Sequence, residues 1–180
     1  MLKLIDLKNK LDSSDMNSAI TNFPNQIQTA FSLMDDWEAN NSYKDINNIL
    51  IIGMGGSAIG GDLLKVIVQN ECEIPILVNR SYSIPKWVNK KTLVIASSYS
   101  GNTEETLSAF RTALSSGAKI ISITTGGKLE KLSNKNNLDF VIIPSGLQPR
   151  AALPLSFSIK LIILKKINLI KTRLIENLSF

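Results

Sequence analysis

Two hydrophobic rhythms alternate along the chain. Ile27, Ala30, Phe31, Met34 and Trp37 recur at helical spacing behind Pro24, which predicts a helix over about 24–39. After the polar Asn40-Asn41-Ser42, the unbroken apolar run Ile49-Leu50-Ile51-Ile52 halts at Gly53, the mark of a buried parallel strand ending in a glycine loop. The alternation continues with a helix over 62–69, strands at 76–78 and 93–96, and a helix over 103–115 closed by Gly117. A strand at 120–124, a short helix over 128–132 and a strand at 140–143 complete it. Five strands joined by right-handed crossovers predict an α/β fold: a three-layer α/β/α sandwich on a five-stranded, parallel, flavodoxin-like sheet. Such sheets bind ligands at the carboxyl ends of their strands, where the winding reverses.

The chain closes on a helical pattern over 155–178, with Phe157, Leu161, Leu164 and Ile167 on its apolar side. Lys160, Lys165, Lys166, Lys171 and Arg173 read as a solvated face of that helix. The expected organisation is an N-terminal helical segment over 1–40, one α/β domain over 41–154, and a helical segment over 155–180 that leads toward a second domain. Without that second domain the apolar side of 155–178 is expected to lie bare and to promote self-association.

With 180 residues and 44% hydrophobic content, the chain suits a single core. Its formal charge of +5 fits an anionic small molecule as well as it fits nucleic acid, and no nucleic-acid-binding helix pair is evident. Cys72 is a lone cysteine, and charges interrupt the opening residues where a secretory signal is apolar, so the expected location is cytoplasmic. Lys165-Lys166 cut short the most apolar late run, so no membrane contact is expected. Histidine is absent, which removes the commonest general base and metal ligand. Neither a metal nor a cofactor is expected.

Candidate chemistry gathers in two loops. The first, Gly53-Met54-Gly55-Gly56-Ser57-Ala58-Ile59-Gly60-Gly61-Asp62, lets the backbone approach a ligand closely and aims free amides at the next helix start. Its spacing matches a loose dinucleotide fingerprint, so an NADP-dependent oxidoreductase is a rival reading, with Arg80 facing a 2′-phosphate. The second loop, Ser97-Ser98-Tyr99-Ser100-Gly101-Asn102-Thr103, sets hydroxyls directly before an amphipathic helix. Hydroxyls plus the positive end of a helix can hold a phosphate without lysine. Ordinary capping, with Asn102 as N-cap and Glu105 three residues on, competes for part of this loop.

Three ordered motifs then carry a resemblance: Gly53 to Asp62, Ser98 to Thr106, and Gln148-Pro149-Arg150-Ala151-Ala152-Leu153-Pro154. Together they resemble the bifunctional phosphoglucose/phosphomannose isomerases, enzymes built from two sugar isomerase (SIS) domains. The resemblance implies that Ser98, Ser100 and Thr103 hold phosphate, that Gly55, Gly56 and Ser57 lie against the sugar, and that Arg150 faces a developing enediolate. It further implies fructose 6-phosphate, glucose 6-phosphate or mannose 6-phosphate as ligand, no metal, and a homodimer or a second SIS half as partner. Relatives of this kind take their glutamate, histidine and lysine from a later half, so no general base is nominated here. A non-catalytic module that senses a sugar phosphate is the alternative.

Overall fold

A computed structural model describes residues 10–171. Helices α1 (Met16–Thr21) and α2 (Phe23–Met34) precede the alternating unit. That unit runs β1 (Asn48–Ile52), α3 (Gly55–Val68), β2 (Ile76–Asn79), β3 (Thr92–Ser97), α4 (Glu104–Ser115), β4 (Lys119–Thr124), α5 (Gly127–Lys135) and β5 (Asp139–Ile142). A last helix, α6 (Leu153–Lys166), returns across it. The strands form one fully parallel sheet in the order β2-β1-β3-β4-β5, so the winding reverses between β1 and β3.

Both faces of the sheet are covered, which is why the strands read as continuous apolar runs. Ile49, Ile51, Leu93, Ile95, Ile121 and Ile123 point to the side of α2, α3 and α6, whereas Leu50, Ile52, Val94, Ala96 and Ile120 meet α4 and α5 through Leu107, Phe110 and Leu129. Asp139 is 2% exposed at the start of β5. It accepts bonds from the Tyr43 hydroxyl and from the backbone and side-chain amides of Asn40 and Asn41, tying the chain before β1 to the far edge of the sheet.

Several expectations shift. The helix predicted over 24–39 ends at Met34, and Trp37 lies beyond it, half-buried and donating to the Phe140 carbonyl. The helix predicted from 62 begins seven residues earlier, at Gly55. The final helix stops at Lys166, with Asn168 in the left-handed region at φ 61°. Residues 172–178 of the predicted pattern, Arg173 among them, lie outside the described residues.

The apolar side of α6 is not bare. It packs against α2 and α3, with Leu161 and Leu164 buried and Phe157 and Ile167 against the core. Exposed apolar side chains cluster instead on α3, where Ile59, Leu63, Val66 and Ile67 share one outer face. Lys160, expected among solvated lysines, is fully buried, because the helix faces apolar neighbours all round. Among the described residues no helix is long and apolar enough to cross a membrane.

Candidate functional site

Both candidate loops lie side by side where the winding reverses. A Cβ on Gly53, at the end of β1, would sit 2.8 Å from the Ser97 carbonyl at the end of β3, so glycine allows the two strand ends to close together. Glycines at 56 and 60 lie one helical turn apart on α3 and admit the segment that leads into α6. A Cβ on Gly56 would meet the Pro149 carbonyl at 2.7 Å and the Arg150 α-carbon at 3.0 Å, and one on Gly60 would meet the Phe157 amide at 3.5 Å. Much of the glycine pattern therefore serves close packing. Gly55 differs: its φ is 49°, it is exposed, and nothing lies within 4 Å of its side-chain position.

In the second loop Ser98 is 2% exposed, and its Oγ lies 2.9 Å from the Thr103 Oγ1. Thr103, not Asn102, is the N-cap of α4, and no side chain caps that helix end. The competing capping box of Asn102 and Glu105 does not form. The Asn102 amide oxygen accepts from Lys128 N–H and its NH2 donates to the Ser100 carbonyl, while Glu105 sits beside the Tyr82 phenol and raises its pKa through charge repulsion. The start of α4 thus adjoins the hydroxyl pair through its N-cap Thr103, and exposed Ser100, whose Oγ accepts from Asn102 N–H, lies in the same loop.

A third loop, at 124–127, braces the second and was not singled out from the sequence. Thr125 donates through both N–H and Oγ1 to the Tyr99 carbonyl, and Leu129 N–H donates to the Gly101 carbonyl. Gly101 has φ 66°, and any side chain there would collide with the Gly126 carbonyl; a Cβ on Gly127 would meet the Ser100 carbonyl at 2.6 Å. The run Thr124-Thr125-Gly126-Gly127 at a strand end was the available signal.

Tyr99 links this loop to the Arg150 segment. Its hydroxyl donates to the Pro144 carbonyl at 3.2 Å and accepts from Leu147 N–H at 2.9 Å. Gln26 of α2 donates to the Ala151 carbonyl at 2.9 Å, fixing the turn that follows Arg150. Arg150 itself is exposed, and its guanidinium pairs with none of the described residues. Ser57 is 7% exposed one residue beyond Gly56. The structure therefore brings Gly55, Gly56, Ser57 and the Arg150 backbone to one edge, beside Ser98, Ser100 and Thr103.

That edge is open. A cleft of about 830 Å3 lined by Asn41, Tyr43 and Asn168 and one of about 560 Å3 lined by Glu71, Ile74 and Ile170 lie at the amino ends of the strands and include none of the candidate residues. Hydroxyls, positive helix termini and topology carry the chemistry, so we place the site at the carboxyl edge rather than in a larger cleft. Arg80, the residue the dinucleotide reading needs for a 2′-phosphate, is ion-paired with Asp62.

Comparison with known proteins places the chain in a family. The SIS domain family model matches residues 42–146, which hold both loops and all five strands. A bifunctional phosphoglucose/phosphomannose isomerase of Caldicellulosiruptor bescii is 53% identical over 156 residues, covering 87% of this chain and 46% of the relative. One from Thermoplasma acidophilum is 46% identical over 106 residues, covering 59% of this chain and 32% of the relative. The chain thus spans less than half the length of these relatives. Among solved structures, the C-terminal domain of glucosamine-fructose-6-phosphate aminotransferase from Francisella tularensis superposes with a TM-score of 0.67 at 17% identity, covering 91% of this chain and 52% of that one. That likeness shows the fold, and the matched family model spans the sheet together with the two candidate loops. The chain belongs to the SIS domain family and resembles the bifunctional phosphoglucose/phosphomannose isomerases in particular.

Proposed function

We propose that this chain binds sugar 6-phosphates and supplies one half of an aldose-ketose isomerase site, interconverting glucose 6-phosphate or mannose 6-phosphate with fructose 6-phosphate. The observation that carries this reading is the Ser98–Thr103 hydroxyl pair at a helix start that no side chain caps. Ser98, Ser100 and Thr103 with the α4 amides receive the phosphate, whose charge the helix end favours. Gly55 leaves room for the sugar, and Gly56 and Ser57 lie along it. Arg150, exposed and unpaired among the described residues, stabilises the enediolate oxygen, a charge that exists only at and near the transition state.

Moving a proton between adjacent sugar carbons needs a base, and ring opening needs a second proton-transfer group. We assign neither to the described residues. In this reading they come from a second SIS half or a partner subunit in a homodimeric, cytoplasmic enzyme that uses no metal or cofactor. The division into segments 1–40, 41–154 and 155–180 belongs to the same proposal.

Calorimetric titration with fructose 6-phosphate tests it. Binding by the chain, with turnover appearing only when the second half is added, is the expected result. Absence of binding overturns the reading, and turnover by the chain alone overturns the division of labour.

A further inference from the structure

Lys160 stands behind the phosphate loop and takes no part in the chemistry above. It is 0% exposed. Its Nζ donates to Ser97 Oγ at 3.0 Å, to the Ser156 carbonyl at 3.2 Å, and to Ser156 Oγ. Three acceptors match the three protons of an ammonium, so the surroundings are shaped for the charged form.

Among the described residues no anion accompanies that charge. Along Phe23–Met34 α2 carries no ionisable side chain, and β1 and β3 carry none either. From α3 it is Gly60 that meets the amine, with its Cβ position 3.4 Å from Nζ; Asp62 on the same helix pairs with Arg80, and Lys65 is exposed. On α6, Lys166 turns away to the Asp35 and Trp37 carbonyls, and Lys165 lies beside it near the helix end. Arg150, in the turn before α6, is exposed. A buried ammonium without a counter-charge is costly, and burial pushes the Lys160 pKa down to about 7.

The position of Ser97 gives this amine a route to the ligand. Ser97 is the last residue of β3 and Ser98 the next, its N–H still bonded to the Ile123 carbonyl of β4, so the strand's alternation of side chains to opposite faces extends to it. Ser97 meets Lys160 on one side, and Ser98 meets Thr103 on the other. Through so thin and dry a wall, charges act on each other more strongly than they do across water.

We propose that Lys160 is a positioning residue coupled to ligand occupancy: it holds Ser97 from behind, a phosphate dianion at Ser98, Ser100 and Thr103 supplies its missing counter-charge, and binding draws a proton from solvent onto its Nζ. This rests on the sugar-phosphate reading of the loop and adds to it a linkage between ligand and proton.

The test is titration of the 180-residue chain with fructose 6-phosphate in two buffers of different ionisation enthalpy. At about pH 8 the ester, with a second pKa near 6, is already fully ionised and contributes no proton exchange of its own. The expected result is a binding heat that differs between the buffers by an uptake of roughly half a proton. Lys160→Met is expected to abolish the uptake and to weaken binding about fivefold at pH 7, where one pKa unit of coupling acts on an amine that is half protonated before the ligand arrives. Heat independent of buffer in the wild type, or uptake that persists in Lys160→Met, overturns the proposal while leaving the phosphate site standing. Failure of the wild type to bind either fructose 6-phosphate or inorganic phosphate overturns the site itself and this linkage with it. Should the variant not fold, the wild-type buffer comparison decides alone.

Discussion

A side chain on Gly56 would begin 3.0 Å from the α-carbon of Arg150. The contact seats the Pro149–Arg150 turn directly on the first turn of α3, so the candidate sugar-facing loop and the candidate enediolate cation share one backbone junction. Gly56→Ala should force the two apart, because its methyl would also press on the Pro149 carbonyl. We expect a loss of about 1–3 kcal/mol in unfolding free energy, as for other overpacked sites. Urea unfolding monitored by circular dichroism checks this, and an unchanged midpoint would show that the junction yields freely.

Removing the paired hydroxyls should weaken phosphate binding and spare the fold. A hydrogen bond to a charged group contributes about 1.5–3 kcal/mol, so Ser98→Ala and Thr103→Val should each lower affinity for fructose 6-phosphate by about 10-fold to 150-fold. Calorimetry gives the affinities, and thermal melts confirm that the variants remain folded.

The sheet, its winding and the placement of both candidate loops at strand ends were legible in the sequence because their signals are local. Ile49 to Ile52 is apolar throughout since both faces are covered, and serines before an amphipathic helix announce donors at a strand end. What escaped depends on distant partners. Glycines are weak helix formers, so the start of α3 at Gly55 becomes evident only once Gly56 and Gly60 receive the Pro149–Phe157 segment. A lysine at helical spacing defaults to solvent, and only the covering of α6 on all sides puts Lys160 inside. Tyr99 gains its partners from residues 45 and 48 positions away.

Asp139 should make acid stability depend on one carboxylate. Burial opposes its charge, yet the bonds from Tyr43, Asn40 and Asn41 outweigh it and hold the pKa below its usual value. A lowered folded pKa means stability that is present above the unfolded pKa, about 3.9, and lost as pH falls through the folded value. Asp139→Asn should therefore cost about 1–3 kcal/mol at neutral pH. The gap between wild type and variant should narrow in urea unfolding curves taken below about pH 4.

Lys160 should give a slope of the same sign in a higher pH window. Its folded pKa, about 7, lies below the value near 10.5 of a free lysine, so the unfolded chain binds more protons throughout that window. Stability attributable to this residue rises with pH from about 7 to 10.5, by about 1.4 kcal/mol for each unit of pKa separation. Lys160→Met should unfold at higher urea than wild type at neutral pH, with the difference fading toward pH 10. Parallel profiles for the two proteins would mean that the amine is not uncompensated when folded.

The bracing of the Ser97–Thr103 loop by Thr125 and Leu129 carries a thermodynamic consequence. Carbonyls of Ser98, Tyr99, Ser100 and Gly101 are already engaged, so the loop has little conformational freedom left to surrender when an anion arrives. In the proposed site, ordering entropy therefore falls mainly on the exposed Arg150 side chain, and any discrimination between the proposed epimeric ligands would have to arise on that looser side.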